Sequence, residues 1–155
     1  MTKPIKSIFV LWDALFDEAL AVDFITQLRN VGLRVKLVGI YGRPQVGIRG
    51  MTLTPDLTLS QAISQIEKCC YMIIPCGSPP LKKLEQNQGL HTFYRKAAYT
   101  DIQFVIGLLL EGDIQGAPLF ANLPKLQVLH SKEDVQRVID EISSTVGSYG
   151  GEQNG

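Results

Sequence analysis

Residues 7–41 limit the fold more than any other stretch of the chain. Ser7-Ile8-Phe9-Val10-Leu11-Trp12 is continuously apolar after its serine, as a strand covered on both faces should be. Asp13 ends it. From Phe16 to Val31 the pattern becomes helical. Phe16, Leu20, Phe24, Leu28 and Val31 share one face, and Ala21 and Ile25 widen it. Asp17 and Glu18 fall in the first turn, where the helix dipole favours acid, and Gly32 is a natural stop. Leu33 to Tyr41 is a second strand. A helical crossover of this length forces parallel pairing with a right-handed connection.

The remaining segments are compatible with such a sheet. Gln45-Val46-Gly47-Ile48 and Met51-Thr52-Leu53-Thr54 read as a small hairpin around Arg49-Gly50, closed by Pro55-Asp56. Thr58-Leu59-Ser60-Gln61 is a capping box opening a short helix with Leu59, Ala62, Ile63 and Ile66 inward. Cys70 to Ile74 is a third buried strand, ended by the turn Pro75-Cys76-Gly77-Ser78-Pro79-Pro80. Residues 81–98 begin irregularly and then place Leu90, Phe93, Tyr94 and Ala97 on a helical face, with Gly89 as a divider between two short helices. Ile102 to Ile106 is a fourth strand. Leu108-Leu109-Leu110 either prolongs it or starts a helix, and residues 111–118 form a turn-rich loop. Leu126 to Leu129 is a fifth strand, and Ser131 caps a last helix with Val135, Val138, Ile139, Ile142 and Val146 inward. Residues 1–146 make one domain, and residues 147–155 read as a flexible C-terminal tail.

Composition excludes several function classes. The 155 residues suit one core. Fifteen basic residues balance fifteen acidic ones, which gives no electrostatic basis for binding nucleic acid or an anionic membrane. The apolar runs are too short for a signal segment or a membrane span. A charged fraction of only 19% points to surface protected in a homodimer or by a partner protein. Cys69, Cys70 and Cys76 cluster without a CxxC pair, which suits reduced thiols in the cytoplasm.

In an open parallel sheet, chemistry gathers beyond the carboxyl ends of the strands. Those positions are Asp13 with Asp17 and Glu18, Tyr41-Gly42-Arg43, Pro75-Cys76-Gly77-Ser78, Gly107, and His130-Ser131. Cys76 is the candidate nucleophile, since a thiol beside the Gly77 and Ser78 amides is placed for a lowered pKa. Its plainer reading is a small buried hydrophobe at a tight turn. His130 is the better placed of two histidines. The pair matches no zinc motif, and no GxGxxG, P-loop or GxSxG is present. No metal or cofactor is therefore expected. Arg43 is a candidate anion holder. Tyr99 is a candidate pocket wall, as is Tyr94, and the plain reading packs both with hydroxyls at the solvent boundary.

From Ser7 to Gly107 the chain resembles the DJ-1/PfpI (ThiJ-like) family, part of the class I glutamine amidotransferase-like group. The resemblance is carried by the first strand, Leu15-Phe16-Asp17-Glu18-Ala19-Leu20, Gly32-Leu33-Arg34-Val35, residues 50–62 with Thr54-Pro55-Asp56 and Leu59, and Ile73-Ile74-Pro75-Cys76-Gly77. It implies a flavodoxin-like three-layer α/β/α sandwich with the second strand flanking the first. It also implies a pocket glutamate and a nucleophilic cysteine. Anchored on Phe16 and Gly32, the glutamate falls on Leu20, with Glu18 as a substitute from a shifted register. The cysteine falls on Gly107, followed by Leu108 and Leu109 rather than an imidazole.

The resemblance thus implies a pseudoenzyme that binds a small molecule, a protein partner or its own copy. The expected pocket is Asp13, Glu18, Arg43, Gly77, Ser78, Tyr99 and Gly107. The alternative is relocated thiol chemistry, hydrolase- or glyoxalase-like, on Cys76 with His130 or Tyr99. A redox sensor pairing Cys76 with Cys69 or Cys70 is a third reading, opposed by the strand between them.

Overall fold

A computed structural model of the chain describes residues 6–153. The elements run β1 (Ser7–Trp12), α1 (Glu18–Asn30), β2 (Arg34–Gly39), β3 (Gln45–Val46), β4 (Thr52–Leu53), β5 (Leu57–Thr58) and α2 (Leu59–Ser64). They continue with β6 (Cys69–Pro75), α3 (Ser78–Leu84), α4 (Gln88–Ala97), β7 (Gln103–Gly107), α5 (Pro118–Ala121), β8 (Leu126–Leu129) and α6 (Lys132–Gln153). Six strands form one sheet in the order β5-β2-β1-β6-β7-β8, and every pairing in it is parallel. The antiparallel hairpin β3–β4 stands apart.

The βαβ unit forms as its pattern requires. All six residues of β1 are buried, and β1 pairs with β2 in unbroken register from Ser7↔Arg34 to Trp12↔Gly39. Helices α1 and α6 share one face, where Gln136 bonds Gln27 at 3.2 Å. Helices α2, α4 and α5 cover the other face. Tyr94 of α4 meets Phe120 of α5 edge-on at 5.4 Å. The result is the three-layer sandwich, with β1 and β6 at its centre. A fully buried side chain such as Phe24 or Leu28 contributes roughly 1.5–3 kcal/mol.

The structure differs from the sequence expectation in five places. Leu57–Thr58 is a short edge strand on β2; two residues carry no readable alternation. Helix α3 starts at Ser78, inside the segment read as a turn, because Pro at the first helical positions is compatible with a helix start. The break before α4 is made by Asn87, whose side chain accepts from Leu90 N, and Gly89 lies inside α4. Leu108–Leu110 neither extends β7 nor opens a helix. Helix α6 continues past Gly147 to Gln153 and takes in most of the expected tail. The last two residues of that tail lie outside the described residues.

Candidate functional site at the carboxyl ends of the strands

The winding of the sheet reverses between β1 and β6, because β2 flanks β1 on one side and β6 on the other. In such sheets this switch point is where a ligand crevice opens. Here the chain folds over it. Phe16 N donates to Asp13 O, and Asp17 N donates to Pro75 O at 2.8 Å, which ties the start of α1 to the end of β6. Phe16 is fully buried edge-on to Trp12. Leu15 takes a left-handed backbone with φ 67°, uncommon for a residue with a side chain. Its N–H donates to Val46 O of the hairpin.

Asp13 is buried beneath this turn and its carboxylate accepts from Ala14 N at 2.8 Å. Burial pushes its pKa up, against the Ala14 N–H and the charge of Lys83. Gly77 and Ser78 are half-buried at the end of β6, and a Cβ on Gly77 would meet nothing nearer than Leu108 O at 4.0 Å.

Glu18 is a second buried acid at this strand end, with no exposed surface. Asp17 is the N-cap and bonds Leu20 N, so the next residue begins the helix and turns its side chain toward the hairpin. Leu20 is an ordinary core residue. One Glu18 oxygen accepts from Arg49 N and the other from Met51 N, each at 2.8 Å. Burial is the largest influence on its pKa and raises it. The backbone N–H groups of Glu18, Arg49 and Met51 outweigh it, and the carboxyl is held below its ordinary value.

Gly107 ends β7, opposite Pro75 and Leu129 in register. A Cβ built there would lie 2.6 Å from both the Cβ and the carbonyl oxygen of Leu129. Side chains do not approach backbone so closely. The position lacks a thiol and also the volume a thiol needs. A nucleophile elbow requires a sharp strand-to-helix turn, and no helix follows β7 at this point.

Comparisons with known proteins fit this architecture. No family model and no curated protein matches the chain. Solved structures do. A DJ-1 superfamily protein from Salmonella typhimurium superposes with a TM-score of 0.68 at 15% identity, covering 96% of this chain and 97% of that one. DJ-1beta from Drosophila melanogaster gives 0.68 at 14% identity over the same shares. A putative protease I from Bacteroides thetaiotaomicron gives 0.72 at 9% identity, over 91% and 99%. The chain has the DJ-1/ThiJ/PfpI fold.

On this DJ-1-like frame the other candidate residues fall as follows. Cys76 follows β6 but is fully buried, and burial pushes its thiol far above the ordinary value. A thiolate is the nucleophile, so this thiol is a core side chain. His130 is exposed and its ring is anchored to Leu109 O at 2.8 Å. It follows β8 while Cys76 follows β6, and the intervening β7 separates their backbones by roughly 10 Å. The two do not form a pair. Tyr99 is 92% exposed in the turn between α4 and β7, at the amino end of the sheet. It cannot line a crevice at the carboxyl ends, because α4 runs antiparallel to the strands it connects.

Arg43 is exposed in the loop after β2. Cys69 and Cys70 begin β6 and Cys76 follows its end, roughly 20 Å away along the strand, too far for a disulfide. Burial raises the Cys70 thiol to about 11 and the Cys69 thiol further. Tyr94 is buried with its hydroxyl unpartnered rather than at the solvent boundary. Among the described residues no group of three or more His, Cys, Asp or Glu is arranged to hold a metal ion, and no helix is long and apolar enough to cross a membrane.

Sequence reasoning missed the partners of Glu18. They are backbone amides, which no side-chain motif reports. The glycines of residues 47–50 were the available signal. Gly47 leaves room for the carboxyl group, and Gly50 takes a φ of 90° in the turn.

Proposed function

We propose that this protein is a non-catalytic member of the DJ-1/PfpI group that acts by binding, as a homodimer, and works in the cytoplasm. The closed space at Gly107 carries this reading. Thiol-dependent glyoxalase, amidase or protease chemistry needs a nucleophile at that strand end, and Leu129 occupies its volume. The burial of Cys76 supports it further. So do three unpaired thiols for the compartment.

The binding part rests on an apolar face. Leu15, Val46, Ile48 and Met51 are 59%, 49%, 65% and 52% exposed and lie together where the hairpin meets the start of α1. Contiguous apolar surface of this kind marks interaction sites, and a chain of zero formal net charge does not repel its own copy. The test is one preparation with two readouts. The purified chain is expected to show no thiol-dependent turnover of α-oxoaldehydes or amides and no alkylation of Cys76 while folded. Light scattering is expected to give a dimer that Ile48→Glu converts to monomer. Turnover abolished by alkylation would overturn the non-catalytic reading, and a wild-type monomer at micromolar concentration would overturn the dimer.

A further inference from the structure

We infer that residues 47–51 form a carboxylate-binding loop whose occupant is the tethered Glu18 side chain, and that this latch fixes the apolar hairpin face in place. Each carboxylate oxygen receives one backbone N–H at 2.8 Å, from Arg49 and from Met51. Two parallel donors matched to two oxygens is the geometry of carboxylate recognition, and such charge-assisted bonds are stronger than neutral ones. The loop is shaped for it. Gly47 N bonds Met51 O, and Gly50 N bonds Gly47 O, closing the turn around the anion. A Cβ on Gly47 would collide with the Glu18 carboxyl carbon and both of its oxygens.

Among the described residues Glu18 makes no ion pair, and the nearby Arg49 turns its Nε to Asp17 at 3.2 Å. Backbone dipoles therefore carry the stabilisation of a fully buried negative charge, which would otherwise cost several kcal/mol. With both oxygens engaged and no solvent exposure, Glu18 is not placed to exchange protons with a ligand. Its chemistry has become structural.

The charged groups facing Glu18 are Asp17 on its own helix and Arg49 on the hairpin. The hydrogen bonds lower the folded-state pKa, so the latch holds above the ordinary carboxylate value and is released as pH falls through the depressed one. The consequence for docking rests on the reading of the hairpin face given above. The latch itself does not.

Amide hydrogen exchange on Glu18→Ala decides the matter. Exchange at Arg49 and Met51 is expected to accelerate about tenfold or more while β1 and β6 amides stay protected. Formate should restore protection by occupying the vacated loop, and chloride at equal ionic strength should not. Unchanged protection at the two amides, or protection indifferent to formate, overturns the latch. If Glu18→Ala does not fold, the wild-type amide shifts of Arg49 and Met51 decide it. They should titrate together, with a midpoint below 4.5; separate titrations overturn it. Light scattering of the wild type reads the docking face independently. A monomer there removes the docking consequence and leaves the exchange result standing.

Discussion

The ends of β1 and β7 meet the same requirement in opposite ways. Both lie at the carboxyl edge of the sheet, where proteins of this architecture place chemistry. After β1 a carboxylate is present and buried, and the hairpin closes two backbone donors around it. After β7 there is no side chain, and Leu129 of the neighbouring strand fills the space one would need. One end holds an acidic group away from solvent. The other has neither a group nor room for one. A strand end can thus be closed by engaging its side chain or by omitting it, and only the second shows in a sequence.

The largest expected effect tests the closed end. Gly107→Cys should destabilise the fold by about 3 kcal/mol, read as a lower urea midpoint, and should yield no fast-alkylating thiol. A Gly107→Cys protein of wild-type stability with a reactive thiol would break the comparison, because the end of β7 would then be vacant rather than filled. A smaller effect tests the engaged end. Gly47→Ala should cost about 2 kcal/mol in the wild type by displacing the carboxyl group, and much less in a Glu18→Ala background where the methyl finds room. Additive losses in that double-mutant cycle would mean that Gly47 does not serve the carboxylate.

The smallest effect concerns Asp13, which shares a turn with Glu18. Burial raises its pKa, so the folded state holds its proton longer than the unfolded state does. Its charge therefore opposes folding increasingly as pH rises from 3.8 toward the raised folded value, and by a constant amount above that. Glu18 has the opposite sign. Asp13→Asn keeps an acceptor for Ala14 N and should stabilise the protein at pH 7 by on the order of 0.5 kcal/mol, with no gain well below pH 3.8. A destabilisation at pH 7 would show that the Asp13 charge is compensated, and would make the two acids alike.

Much of the fold was legible because it is periodic. The apolar run of β1 and the helical stripe of α1 specify their partners by pattern, and the structure reproduces them except at Val31, which lies past the helix end and is exposed. The capping box at Thr58 and Gln61 is present with both of its bonds. Legibility failed where an element is short or a property depends on depth. Strand β5 has two residues. Cys76 follows a strand end as expected, yet it is buried in the core, and a thiol beside glycine reads the same in sequence whether it faces solvent or the core. Tyr99 reads as a candidate pocket wall, although the α4 connection carries it to the other end of the sheet.

The sequence alone determined the parallel β/α/β core and the absence of a thiol after the fourth long strand. Both are properties of one segment, written in spacing and residue type. The tertiary structure decided what those strand ends do. Glu18 is turned inward by amides 31 and 33 residues away, and Gly107 is closed by a strand that pairs with it only after another excursion of the chain. Long-range packing sets volume and solvent access, and local pattern carries no record of either.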